Sequence, residues 1–446
     1  MISTDRKSVA STLFPFIRIF MPKNVFALCR RKCYIMFGQS RTVYDMKKQR
    51  KWMKKRHAVF TELARIVMTP VARHKYGVKP ERFKEQGRRA YLILYNHQTP
   101  FDQFFVGLSF KGPVYYVATE DIFSNGFLSS LLRFAVAPIP IVKSTTDLRA
   151  VKTCIRVAKE GGMIAIAPEG NRTYSGKTEY INPAIAGLAK KLRLPIALYR
   201  IEGGYGVQPR WSDGTRKGKM RCYVSRVIEP EEYAGMTNDA LTAVIREGLY
   251  VNEGTSGGIY RSEKRAEYLE RAVYYCPFCG FSTFESSGNV VACKTCGRRI
   301  VYGEDKRLTG IGFDFPFACV SDWYDAQSEH VIGLDLAAYT KQPMFTDTAD
   351  IYDVVLNKRK KWIAVDATIR LYGDRIEIDG IEPGVLRFSE LHAATALGRN
   401  KLNLYTPERT YQLKGGKRFN ALKYVNLYYH SKNTNRGDTD GKFLGL

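Results

Sequence analysis

Apolar and polar residues alternate in three different rhythms along this 446-residue chain. From residue 57 to 75, Phe60, Leu63, Ile66 and Val67 recur at helical spacing, which predicts a helix that Pro70 ends or kinks. Short apolar runs bounded by polar residues follow at 90–94, 114–118, 163–167 and 195–199, with 219–224 as an edge strand. Residues 124–135, 148–159 and 184–192 read as helices between them. Strands alternating with helices predict an α/β fold, a mostly parallel sheet flanked by helices. This stretch closes at the loop-forming EGTSGG of residues 253–258.

A helix is predicted over 261–272, leading into two cysteine pairs at 276–296. After that, residues 362–372, 375–379, 384–388, 401–405 and 410–413 alternate like strands joined by turns, and 419–430 reads as a closing helix. In outline this is similar to a small pleckstrin-homology-like β domain. The aromatic residues of 424–429 read as packing for it. The chain thus divides into a basic leader at 1–55, an α/β domain at 56–253, a helix with cysteine pairs at 254–300, and a β-rich part at 301–446.

Charge sharpens the picture. The formal net charge is +27, which calls for a polyanionic partner. Before residue 57, fifteen Lys and Arg face two acids, Asp5 and Asp45, and Phe and Ile are interleaved with the charges. No run there reaches the roughly 20 apolar residues of a spanning helix, and a secretory signal's order is lacking. Such a leader suits an anionic membrane surface, where each basic residue contributes about 1 kcal/mol. The expectation is peripheral attachment to the cytoplasmic face of a membrane. Five scattered cysteines, Cys29, Cys33, Cys154, Cys222 and Cys319, fit a reducing compartment.

Candidate chemistry begins at Asn96-His97-Gln98-Thr99-Pro100-Phe101-Asp102, directly after the first strand. Ligands of open α/β sheets sit beyond the carboxyl ends of strands. A carboxylate five residues past a histidine can take its second N–H and fix the tautomer, so His97 is a candidate general base and Asp102 its orienter. An acyl thioester can be attacked directly by a hydroxyl whose proton His97 removes. The loop 167–173, Ala-Pro-Glu-Gly-Asn-Arg-Thr, follows the third strand and opens on the same sheet edge. There Gly170 permits close backbone approach, and Arg172 offers a planar fork for phosphate.

Together these blocks resemble the lysophosphatidate (1-acylglycerol-3-phosphate) acyltransferase family, within the wider glycerolipid acyltransferases. Residues 96–102 look like its NHxxxxD block, and 168–173 its Pro-Glu-Gly-Thr-Arg-Ser block. Residues 137–143 and 194–197 are similar to two further blocks. The resemblance spans roughly 57–230 and implies that Glu169, Gly170 and Arg172 bind the glycerol-phosphate acceptor, with Lys143 adding charge. It also implies an acyl-CoA or acyl-acyl carrier protein donor. Ala167, Asn171 and Lys143 depart from the commoner Phe, Thr and Arg, a difference that bears on acceptor and chain-length preference.

Cys276-Pro-Phe-Cys279-Gly and Cys293-Lys-Thr-Cys296-Gly read as two knuckles of a four-cysteine zinc ribbon, with structural zinc expected and iron the alternative. His57 and His74 read as solvent-facing, His330, His392 and His430 have no nameable partner, and 203–206 reads as a turn. One rival reading is a nucleic-acid-binding protein using the basic surface and ribbon, but it leaves the two acyltransferase-like blocks unused. A second rival is a module that binds lipid without turnover.

Overall fold

The computed structural model describes residues 51–119, 127–141, 147–354, 360–437 and 443–445. Lys143 and nearly all of the basic leader therefore lie outside the described residues.

Helix α1 (Lys55–Tyr76) comes first, then β1 (Leu92–Tyr95), α2 (Asp102–Ser109), β2 (Val114–Thr119), α3 (Phe127–Ala135) and β3 (Ile139–Ile141). Next come α4 (Leu148–Lys159), β4 (Met163–Ile166), α5 (Ala184–Leu192), β5 (Ile196–Glu202), the one-turn α6 (Gly204–Val207), β6 (Arg221–Ile228), α7 (Pro230–Ala234) and α8 (Asn238–Leu249). The six strands form one sheet in the order β3-β2-β4-β1-β5-β6, parallel except for β6. Both sheet faces are covered, which is why the strands are continuous apolar runs. Leu92, Leu94, Ile164 and Leu198 are buried on one face, and Ile93, Tyr95, Ala165 and Tyr199 on the other. β1 is central, paired with β4 on one side and β5 on the other.

One expectation is narrowed in this part and another fails: Pro70 does not end its helix, and His57 is not exposed. Helix α1 continues past Pro70 to Tyr76 and stops at Gly77, whose φ is 62°. Proline removes one backbone bond, here to the Ile66 carbonyl, and α1 packs on α2. His57 is buried, not solvent-facing: its Nδ1 lies 3.0 Å from the Tyr115 hydroxyl, and burial lowers its pKa. His74 is exposed.

The predicted helix at 261–272 is absent apart from a single 3₁₀ turn at Leu269–Arg271. Tertiary contacts override the local preference. Arg261 bridges to Lys217, the Arg265 guanidinium donates to the Ser262 and Tyr302 carbonyls, and Tyr268 takes φ 72°.

The cysteine segment comprises the hairpin β7 (Tyr275–Cys276) and β8 (Gly280–Phe281) and a four-stranded antiparallel sheet. That sheet contains β9 (Phe284–Ser287), β10 (Val290–Cys293), β11 (Arg299–Tyr302) and β12 (Leu308–Gly310). Helix α9 (Val320–Ile332) leads to a curled seven-stranded antiparallel sheet. Its strands are β13 (Phe345–Asp353), β14 (Lys361–Leu371), β15 (Arg375–Ile378), β16 (Val385–Arg387), β17 (Ala393–Leu397), β18 (Lys401–Tyr405) and β19 (Thr410–Gly415), in the order 16-15-14-13-19-18-17. Helix α10 (Leu422–Asn435) packs on β17. The expected packing role of the 424–429 aromatics holds. Tyr424 is buried and donates to the Asp347 carboxylate at 2.6 Å, and Tyr428 donates to the Leu391 carbonyl at 2.8 Å.

Residues Lys51–Leu446 form one compact unit. A single apolar cluster runs from Tyr174, Tyr205 and Trp211 through the cysteine segment into the seven-stranded sheet. No helix among the described residues is long and apolar enough to cross a membrane.

Candidate active site

Because β1 and β4 are parallel neighbours, the loops that leave their carboxyl ends emerge side by side. One carries residues 96–102 and the other 167–173. The Thr173 N–H donates to the His97 carbonyl at 3.0 Å, stitching the two loops together.

His97 Nδ1 lies 2.8 Å from Asp102 Oδ2. Asp102 opens α2, so one helical turn brings its carboxylate back under the loop. It is fully buried and accepts the Gln98 N–H at 2.7 Å, the Thr99 N–H at 3.0 Å and the Thr99 hydroxyl at 2.6 Å. A carboxylate held by so many donors cannot turn away from the imidazole. With Nδ1–H given to Asp102, His97 presents the lone pair of Nε2. The His97 side chain is 22% exposed. Burial lowers the His97 pKa, the Asp102 hydrogen bond and charge raise it, and Arg172 and Arg210 lower it again, with the net shift downward. A lowered pKa favours the neutral ring, the form in which an imidazole can accept a proton.

Glu169 is buried, and each of its oxygens takes a backbone N–H, Oε1 from His97 and Oε2 from Glu179, both at 2.8 Å. Burial pushes its pKa up to about 8 against those two donors. Gly170 has φ 71° and open space where a side chain would be, so the turn demands glycine there, not a close neighbour.

Arg172 stands over this floor with no paired carboxylate among the described residues. Burial, then the charges of Arg210 and Arg399, bring its pKa down to about 10, with Asp102 opposing. Arg210 is buried, lies 4.2 Å over the Tyr174 ring, and donates to the Arg172 carbonyl at 2.8 Å. His97, Asp102, Glu169, Gly170 and Arg172 are thus brought to one sheet edge.

Other residues support the site although the sequence assigned them no role. Asn96 clamps β5 through both atoms of its amide, accepting from Ile201 N at 2.7 Å and donating to Ile201 O at 2.8 Å. The 203–206 segment, expected to be a turn, is the one-turn α6 preceded by Gly203. Tyr205 N donates to Gln98 Oε1 at 3.0 Å. A Cβ on Gly204 would meet that Gln98 oxygen at 2.7 Å, so only glycine permits the approach. Behind Gln98, the fully buried Glu253 accepts from Gly203 N at 2.6 Å and pairs with buried Lys306 at 3.3 Å.

Away from this centre, the Sγ atoms of Cys276, Cys279, Cys293 and Cys296 lie within 4.8 Å of one another and form no disulfide. Four thiolates tetrahedral at about 2.3 Å from a zinc ion would stand about 3.8 Å apart. Cys276 and Cys296 are already 3.9 Å apart, so the set fits such an ion. Gly280 and Gly297, at φ 76° and 73°, make the turn after each knuckle as expected. The Ser282 hydroxyl lies 3.1 Å from Cys293 Sγ, where it can orient that ligand. His330, which sequence left without a partner, stacks on Tyr275 at 4.5 Å, and His430 Nε2 lies 2.9 Å from the Leu334 carbonyl.

A mostly parallel sheet thus carries a histidine–aspartate pair beside an arginine-bearing loop. Residues 77–201 match the family model described as "Acyltransferase". A 1-acyl-sn-glycerol-3-phosphate acyltransferase of Bacillus subtilis is 21% identical over 136 residues, covering 30% of this chain and 65% of that relative. The solved 1-acyl-sn-glycerophosphate (LPA) acyltransferase PlsC of Thermotoga maritima aligns at 18% identity and a TM-score of 0.37, over 44% of this chain and 80% of that one. The similarity to acyltransferases thus lies within residues 77–201, and the chain spans slightly less than two thirds of that curated relative.

Proposed function

We propose that this protein transfers a fatty acyl group from an acyl thioester, acyl-CoA or acyl-acyl carrier protein, to the free hydroxyl of lysophosphatidate or a related lysophospholipid. The observation that carries the reading is the His97–Asp102 pair at 2.8 Å, presented beside Arg172. His97 Nε2 takes the proton of the acceptor hydroxyl as its oxygen attacks the thioester carbonyl carbon. The tetrahedral adduct collapses, the C–S bond breaks, and the imidazolium returns the proton to the departing thiolate. An ester and a free thiol result. Arg172, with Lys143 from outside the described residues, serves the acceptor phosphate, and Glu169 and Gly170 shape the loop that presents it.

The reaction is read as occurring at a membrane surface. On α1, Val59, Leu63, Ile66 and Val67 are exposed in a stripe, and Phe134 of α3 is exposed beside Arg56, whose guanidinium lies 4.3 Å over its ring. An apolar stripe edged by cations suits the interface of an anionic bilayer. The four cysteines are read as a structural zinc ribbon: with all four positions filled by protein there is no open site for catalysis. The seven-stranded sheet closed by α10 is read as pleckstrin-homology-like.

The deciding measurement is transfer of a labelled acyl group from a thioester to lysophosphatidate on vesicles, by wild type and His97→Ala. Turnover that vanishes in a folded His97→Ala protein is the expected result. A wild type inert with both thioester types and several lysolipids would move the reading to lipid binding without turnover.

A further inference from the structure

Arg210 donates through Nη1 to the Arg172 carbonyl at 2.8 Å and through Nη2 to the Ala396 carbonyl at 2.9 Å. One buried guanidinium therefore clasps the catalytic loop and the end of β17 together. Three residues beyond Ala396, on the β17–β18 turn, is Arg399. Its side chain is 31% exposed, and it pairs with the Asp213 carboxylate at 3.2 Å. That carboxylate is already held by Arg271 at 2.6 Å, so Asp213 neutralises Arg399 only in part. The Arg399 charge bears on Arg172, on Lys75 of α1 and on the Tyr76 hydroxyl. Like charges gathered about Arg172 repel one another, and a bound anion relieves that repulsion.

We propose that Arg399, supplied by the C-terminal sheet, completes the anion-binding wall of the acyltransferase site, so that guanidinium groups from both halves of the chain grip the acceptor's phosphate monoester. This deepens the acyltransferase reading and rests on it. A phosphate dianion offers three oxygens, and two planar forks approaching from different sides fit it better than one. The C-terminal part thereby sets preference for a phosphorylated acceptor over a neutral one.

The test separates KM from kcat for lysophosphatidate in mixed micelles, with monoacylglycerol as the acceptor lacking phosphate. Arg399→Ala should raise the lysophosphatidate KM about 10- to 100-fold, as loss of a charged hydrogen bond does, with kcat and monoacylglycerol use little changed. Arg399→Lys should recover part of the loss. Asp213→Asn, which frees Arg399 from its carboxylate, should leave the KM unchanged or lower it. An unchanged KM in Arg399→Ala, or a rise in Asp213→Asn matching it, would overturn the proposal and leave Arg399 a packing residue. A wild type that turns over neither acceptor defeats the enzyme reading alone. Calorimetry with glycerol 3-phosphate then decides the site. Binding lost in Arg399→Ala supports it, whereas equal binding, or none in wild type, overturns it.

Discussion

Glu169 accepts the backbone N–H of His97 at 2.8 Å, so the loop after β4 fixes the backbone of the candidate base. Its other oxygen ties in Glu179, and the three residues form one strut. Glutamine can keep only one of these acceptor contacts and must turn an NH₂ toward the other N–H. Glu169→Gln is expected to cost about 1–3 kcal/mol and to lower kcat through His97 misplacement. Denaturant titration and steady-state rates check both. A variant of unchanged stability would mean that the strut does not hold the loop.

The direction of the His97 shift makes a pH prediction. The base works when neutral, and its pKa lies below the usual 6.5. The acid limb of kcat/KM should therefore inflect below pH 6.5, with activity lost as pH falls through it. Asp102 raises the imidazole pKa, so Asp102→Asn should move the limb to still lower pH while the plateau falls by about 10²–10⁴. A limb moving upward would show that Asp102 does not stabilise the imidazolium.

Glu253 and Lys306 are both almost wholly buried and pair at 3.3 Å. Removing one partner leaves the other charge uncompensated, at about 3–5 kcal/mol. Lys306→Met should lose stability of this order, and activity should fall too, because Glu253 also lies 3.4 Å from the Gln98 amide. Chemical denaturation measures it. A change below about 1 kcal/mol would indicate that the pair is solvated, as surface pairs are.

The cysteine cluster predicts about one zinc per chain by elemental analysis, with all four thiolates as ligands. Cys279→Ser should lower both zinc content and melting temperature. Zinc-free protein that melts at the same temperature would remove the structural role.

Exposed Leu63 and Ile66 on α1 predict that Leu63→Glu with Ile66→Glu weakens flotation with anionic vesicles while the fold is kept. Unchanged flotation would place membrane contact elsewhere.

Much of this molecule is local in origin. Continuous apolar runs determine β1, β2, β4 and β5, because a buried parallel strand needs apolar side chains on both faces. A spacing of five residues lets Asp102 reach back to His97, and the CxxCG spacing makes the two cysteine turns. Each of these contacts closes over a few residues, so its pattern is written along the chain.

What only the tertiary structure decided involves long separations or side chains without a pattern. β13 is too polar to read as a strand, and β17 too rich in alanine. Yet β13 is central in its sheet, and the small, buried Ala393, Ala394 and Ala396 let α10 pack close on β17. The helix expected at 261–272 gave way to contacts with residues 217 and 302. His57 is buried because Tyr115, 58 positions later, packs beside it. Gln98 meets Glu253 across 155 positions, and Arg210 meets Ala396 across 186. Backbone periodicity records only which face a residue presents. Which distant residue arrives opposite that face is settled when the layers pack, and the surroundings of His97 and Asp102 were settled in that way.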